Sequence, residues 1–210
     1  SGKDGVAICG YHGWHDWYLS VNLRGKNKLE KHLLKGLEPA GVPRSLKNTV
    51  FPFEYGNYSQ LLNIVNKKNI GTIKMEVSRG TLPDIGFLRK VRKLATKKKI
   101  VLIFDECTSG FRQCNGGLHM KYKIYPDIAM FGKALGNGFA ITSVIGKRSF
   151  MQKAGSSFIS STFWTERIGF AAGIETLKLM EQKKSWEKIV KYGKYFNSKI
   201  KELENKYDLD

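Results

Sequence analysis

Residues Ile100 to Arg112 read IVLIFDECTSGFR, a run of apolar and β-branched residues that ends in two adjacent carboxylates and a glycine-containing turn. A short apolar run without polar alternation predicts a strand buried on both faces, the kind found in parallel sheets. Similar runs recur at Val6–Cys9, Thr72–Val77, Ile128–Phe131 and Ala140–Ile145. Stretches of helical period lie between them. Asp84 stands as an N-cap ahead of Phe87, Leu88, Val91, Leu94 and Ala95, whose three-to-four spacing predicts a helix packed on the sheet. Farther along, Trp186, Ile189, Phe196, Ile200, Leu203 and Tyr207 predict long amphipathic helices from about Glu166 onward. Alternating strands and helices make this an α/β chain with a mostly parallel sheet and flanking helices. The segment Gly36 to Gly56, GLEPAGVPRSLKNTVFPFEYG, carries three of the five prolines and no sustained period, which predicts an ordered loop.

Composition bounds the function. A chain of 210 residues with 41% hydrophobic residues is long enough to bury roughly two thirds of its unfolded surface, so disorder throughout is excluded. No apolar run approaches the ~18 residues of a membrane span, and the first residues, SGKDGVAICGYHGW, lack the apolar stretch of a secretory signal; a cytoplasmic location is the expectation. Thirty-six Lys and Arg against 18 Asp and Glu give a net charge of +18, which raises the question of nucleic acid. The basic residues are dispersed in short clusters (Lys67–Lys68, Lys97–Lys99, Lys183–Lys184) with no RNA-binding aromatic signature and no zinc-finger spacing, so solvated helix faces are the better reading. Three cysteines without CxxC spacing suggest neither a disulfide framework nor a metal site.

In an open α/β sheet, ligands bind beyond the carboxyl ends of the strands, which is where Asp105 and Glu106 fall. Taken alone, such an Asp is better read as ending the strand and capping a turn. The next strand, in PDIAMFG, delivers Lys133 within FGKALGNGFA. A lysine between a strand and a glycine-rich turn, in a desolvated setting, can act as a nucleophile toward aldehydes, although among so many lysines a surface role is the plain alternative. Gly132, Gly136 and Gly138 fit neither the P-loop nor the dinucleotide fingerprint.

Taken together, Asp105, Lys133, the segment GYHGWHDWY (Gly10–Tyr18) and the segment SSTFWTER (Ser160–Arg167) resemble the class III aminotransferases, enzymes of fold type I that depend on pyridoxal 5′-phosphate. Within that family the two aromatic segments resemble the glutamate-1-semialdehyde 2,1-aminomutase-like branch, and the likeness runs from Gly2 to at least Met180. The resemblance implies that Lys133 joins the cofactor aldehyde as a Schiff base and shuttles the substrate proton. It implies that Asp105 faces the pyridinium nitrogen, keeping the ring protonated and able to accept electrons, so that Asp105→Ala costs far more catalysis than stability. Tyr11 is expected to stack on the ring with His12 beside it, while Trp14 and Trp17 can be ordinary core aromatics. Thr162 corresponds to a family threonine that reaches the cofactor phosphate of the neighbouring subunit, implying a homodimer. Glu76, in IKMEVSRG, matches a family glutamate near the site, with Val77 where a proline is usual.

The resemblance further implies that residues 1–182 form the cofactor-binding large domain without its N-terminal part, and that 183–210 lead toward a C-terminal small domain. On that expectation the 210 residues alone turn over little substrate. The implied activity is transfer of an amino group between an amine donor and a carbonyl acceptor, with an intramolecular aminomutase as the alternative. A non-catalytic basic binding module is a rival from another class, disfavoured by the joint presence of Lys133, Asp105, Tyr11 and Thr162.

Overall fold

The computed structural model describes residues 1–13, 15–25, 28–30, 36–78 and 82–208; Trp14 lies outside the described residues. In chain order the strands are β1 (Gly5–Cys9), β2 (Val50–Pro52), β3 (Ile70–Glu76), β4 (Val101–Asp105), β5 (Ile128–Phe131) and β6 (Ser143–Gly146). The helices are α1 (Asp16–Leu19), α2 (Tyr58–Lys67), α3 (Ile85–Lys97), α4 (Leu118–Lys121), α5 (Arg148–Met151), α6 (Ile168–Lys183) and α7 (Ser185–Tyr207). The six strands form one sheet in the order β2-β1-β3-β4-β5-β6. All pairings are parallel except β5 with β6, which is antiparallel.

The core divides between the two sheet faces because successive strand residues alternate sides. On one face Ala7, Cys9, Ile73, Met75, Leu102 and Phe104 pack with Leu61 of α2 and with Phe87, Leu88, Val91 and Leu94 of α3. The α3 stripe is the one the spacing predicts, and the Asp84 carboxylate caps it, accepting from the Phe87 N–H at 2.9 Å. On the other face Ile8 and Val50 meet Tyr18, Val21 and Leu29. Lys74, Glu76 and Asp105 belong to this second face, and all three are buried.

Two expectations need correction. The stretch from Gly36 to Gly56 is not wholly loop: Val50–Pro52 is an edge strand in register with Val6–Ile8 of β1. A proline is tolerated at a sheet edge because no ladder partner needs its missing N–H, so the proline that hid this strand in the sequence is compatible with it. The strand expected at Ala140–Ile145 starts only at Ser143, after an irregular approach. The two C-terminal helices form as predicted and are divided at Lys184, whose φ of +47° ends α6 and starts α7. The α7 stripe is not a core face, however: Ile189, Tyr192, Phe196 and Leu203 are exposed.

Candidate active site

Beyond the carboxyl ends of β1, β3 and β4 three segments converge. The β3–β4 register sets Glu76 directly beside Asp105, and puts Lys74 one pleat earlier on the same face. The turn after β1 then swings His12 over Asp105. Asp105 Oδ2 lies 3.0 Å from His12 Nδ1 and 3.4 Å from Lys74 Nζ, while Oδ1 accepts the Cys107 N–H at 3.3 Å. Burial raises the Asp105 pKa, but the hydrogen bond from His12 and the charge of Lys74 outweigh it and hold the carboxyl at about 2. The group is therefore a fixed anion at neutral pH. It also caps the turn after β4, the plainer of the two roles open to it in the sequence.

Glu76 serves the β1 turn. Its Oε2 accepts the Tyr11 N–H at 3.1 Å, and a Cβ on Gly10, whose φ is +111°, would stand 2.3 Å from that oxygen. Only glycine lets the carboxylate come this close. Tyr18, fully buried, donates its hydroxyl to the Gly10 carbonyl at 3.0 Å and holds the turn from the other side. The rings of Tyr11 and His12 both stand edge-on to Tyr18, at 6.1 and 6.0 Å. His12 Nε2 is buried and has no hydrogen-bond partner among the described residues. Trp17 is more than a core aromatic: its ring faces Lys74 Nζ at 5.4 Å.

Glu106 points away from this cluster and locks the loop that follows β4. Its carboxylate accepts the Leu118 and His119 N–H groups at 2.9 Å each, contacts His119 Nδ1 at 2.7 Å and takes the Ser109 hydroxyl. Burial pushes its pKa up, and the hydrogen bonds from His119, Ser109 and the two amides more than reverse that. The lock anchors the backbone on either side of Cys107 and Thr108.

Lys133 opens a single 3-10 turn after β5, Lys133–Leu135, with a left-handed φ of +46°. Its Nζ donates to Thr108 Oγ1 at 2.7 Å. The desolvated setting expected of it is not found: Lys133 is exposed, as are Asn137 to Ala140 after it. The physical reason is its place on the rim of the sheet, where no described segment folds over it. Cys107 links the two halves of the site. Its thiol is pushed up to about 11 by burial and by the Asp105 charge, against the opposing pull of Lys133 and Lys74, so it stays a neutral thiol.

The structure thus joins Asp105, His12, Tyr11 and Glu76 in one cluster, with Lys133 on the adjoining loop through Cys107 and Thr108. Thr162 is not brought there. It lies in an exposed turn flanked by Phe158, Phe163 and Trp164, which are 99%, 76% and 61% exposed. Sequence reasoning missed Lys74 and Thr108. A lysine inside the apolar strand IGTIKME was the available signal, since its face follows from the alternation with Glu76.

The residues present fit pyridoxal phosphate in two respects. A rigid buried anion, Asp105, suits a protonated ring nitrogen, and a primary amine on a neighbouring strand end suits an aldehyde. His12 Nε2 adds a buried polar atom that the described residues do not satisfy.

Comparison with known proteins agrees with this geometry. The model of the aminotransferase class-III family matches residues 11–209. The chain is 33% identical over 212 residues to 3-aminobutyryl-CoA aminotransferase of Cloacimonas acidaminovorans, covering 97% of this chain and 47% of that protein. It is 34% identical over 179 residues to glutamate-1-semialdehyde 2,1-aminomutase 2 of Lachnoclostridium phytofermentans, covering 80% and 42%. Among solved structures, the S-selective transaminase from Arthrobacter sp. with alanine bound superposes with a TM-score of 0.75 at 20% identity, covering 97% of this chain and 50% of that one, a likeness of fold. The chain spans about half the length of the curated relatives it matches. A carboxylate at the end of β4, a lysine after β5 and a family match over nearly all of the sequence agree: the chain belongs to the class-III aminotransferases.

Proposed function

We propose that this chain is the cofactor-binding part of a pyridoxal-phosphate-dependent aminotransferase that moves an amino group between an amine donor and a carbonyl acceptor. The observation that carries the reading is the buried Asp105 anion, fixed by His12 and Cys107, on the strand beside the one that leads into Lys133. When bound, pyridoxal phosphate supplies an aldehyde carbon that takes up the amino group and a ring that withdraws electrons from the substrate carbon. Asp105 would hold the protonated ring nitrogen, Lys133 would hold the aldehyde and supply the amine that moves the substrate proton, and Tyr11 would lie against the ring, with His12 fixing the Asp105 carboxylate. Glu76 sets the Tyr11 backbone through its hydrogen bond.

Residues 1–182 would be the large domain without its N-terminal part and 183–210 the segment leading toward a C-terminal small domain; the break between α6 and α7 at Lys184 supports a boundary there. The exposed aromatic segment around Thr162 supports a homodimer in which this threonine serves the partner's cofactor phosphate. No helix among the described residues is long and apolar enough to cross a membrane. The dispersed charge gives no support to nucleic acid as partner.

Borohydride reduction of the full-length holoprotein, followed by digestion and mass spectrometry, is expected to place the pyridoxyl group on Lys133. A label on another lysine, with Lys133 unmodified, overturns the assignment. An aminomutase reading is supported by the 34% identical relative and by GYHGWHDWY and SSTFWTER. The pyridoxamine form, given glutamate 1-semialdehyde alone, is expected to stop at or below one equivalent of product. Sustained formation of 5-aminolevulinate beyond one equivalent establishes the aminomutase instead.

A further inference from the structure

Lys74 is a buried lysine in strand β3, on the sheet face that also bears Glu76. Its side chain is 10% exposed and that of Asp105 9% exposed, so the pair is buried. The 3.4 Å separation is longer than the 2.7–2.9 Å of a good charge-assisted hydrogen bond. The carboxylate is already pinned through both oxygens, by His12 on Oδ2 and by the Cys107 N–H on Oδ1. Lys74 itself rests against the Trp17 ring. It therefore contributes charge to Asp105 rather than geometry. A buried ion pair is a weak source of net stability, because desolvation cancels much of the attraction. What such a cation does without fail is compete for the anion with any other positive group placed there.

We propose that Lys74 is a positioning residue that shares the negative charge of Asp105, and so weakens the hold of Asp105 on the proton of the cofactor's ring nitrogen. The proposal rests on the reading of Asp105 as the partner of that nitrogen. Besides Lys74, the titratable groups around the carboxylate among the described residues are Glu76 directly beside it on β3, His12 against Oδ2, the Cys107 thiol after it, and Lys133 beyond Cys107. None of these is altered by substitution at position 74.

The test uses the full-length holoprotein loaded with pyridoxal phosphate labelled with nitrogen-15 in the ring, and reads ring protonation from the nitrogen chemical shift as a function of pH. Lys74→Met removes the charge and keeps the length of the chain. It is expected to raise the midpoint of ring protonation by about one unit, the scale of one nearby charge. Lys74→Arg is expected to restore the parent midpoint, which a purely steric role would not do. Asp105→Ala is expected to shift the midpoint downward. In the cofactor-free protein, the Asp105 carboxyl carbon-13 titration is expected to move up from about 2 in Lys74→Met and to stay in Lys74→Arg. A ring midpoint that responds to Asp105→Ala but not to Lys74→Met overturns the proposal and leaves the reading of Asp105 standing. A midpoint indifferent to Asp105→Ala removes that reading, and the proposal with it.

Discussion

Asp105 carries more of the fold than its place in the sequence suggests. The resemblance predicts that its loss damages catalysis and spares stability, but the structure shows a carboxylate in contact with buried Lys74 and His12. Removing one partner from a buried pair leaves the other charge without compensation, at a cost of about 3–5 kcal/mol. Asp105→Ala is therefore expected to lower unfolding stability by an amount in that range in denaturant titrations. Adding Lys74→Met to Asp105→Ala is expected to recover at least ~1 kcal/mol, the signature of direct coupling in a double-mutant cycle. Strict additivity would show that the two side chains do not interact. The contrast with Lys74 shows what one sequence can disclose. The places of Asp105 at the end of β4 and of Lys133 just after β5 are legible from the apolar runs before them, whereas Lys74 belongs to no motif and acquires its partner only from the register between β3 and β4.

At the scale of elements, helix α3 and strands β1, β4 and β5 are legible because local signals agree with the tertiary role. The Asp84 cap, a 3.6-residue stripe and a sheet face to receive it all point to the same helix. Strand β2 fails that agreement. Three residues ending in Pro52 carry too little periodicity to register, and they become a strand only because Val6 to Ile8 offer an open edge. Helix α7 shows the converse: its periodicity is strong enough to predict a helix, but the pattern alone does not say what receives the stripe. The setting of Lys133 was illegible for a similar reason. A strand-to-turn junction predicts where the lysine stands, and the segments that would bury it are settled by the chain's path through space.

Across the described residues, three of the buried carboxylates, Asp105, Glu106 and Asp127, tie strands to the segments around them. Asp127 meets Arg92 of α3 at 3.0 Å, Lys147 at 2.6 Å and the Leu102 N–H of β4 at 2.9 Å. Burial pushes each carboxyl up, and its hydrogen bonds and charged neighbours pull it below its ordinary value, to about 2 for Asp105. A group whose folded pKa is depressed contributes fully above its unfolded pKa and is lost as pH falls through the folded one. Stability toward urea is therefore expected to be level above about pH 5 and to fall progressively between about pH 4 and pH 2. The fall should be shallower in Asp105→Asn. A urea midpoint unchanged down to pH 2 would show that these carboxylates are unperturbed.

The three-residue strand β2 also gives the sheet unequal margins. Pro52 removes one backbone donor from that margin, and the strand is too short to serve as a template for a long partner. At the opposite margin no further strand lies beside β6 among the described residues, and Val144 and Ile145 are exposed at 48% and 54%. Any pairing of native sheet edges would therefore favour the β6 margin over the β2 margin, and a β6-to-β6 joint would close at two copies.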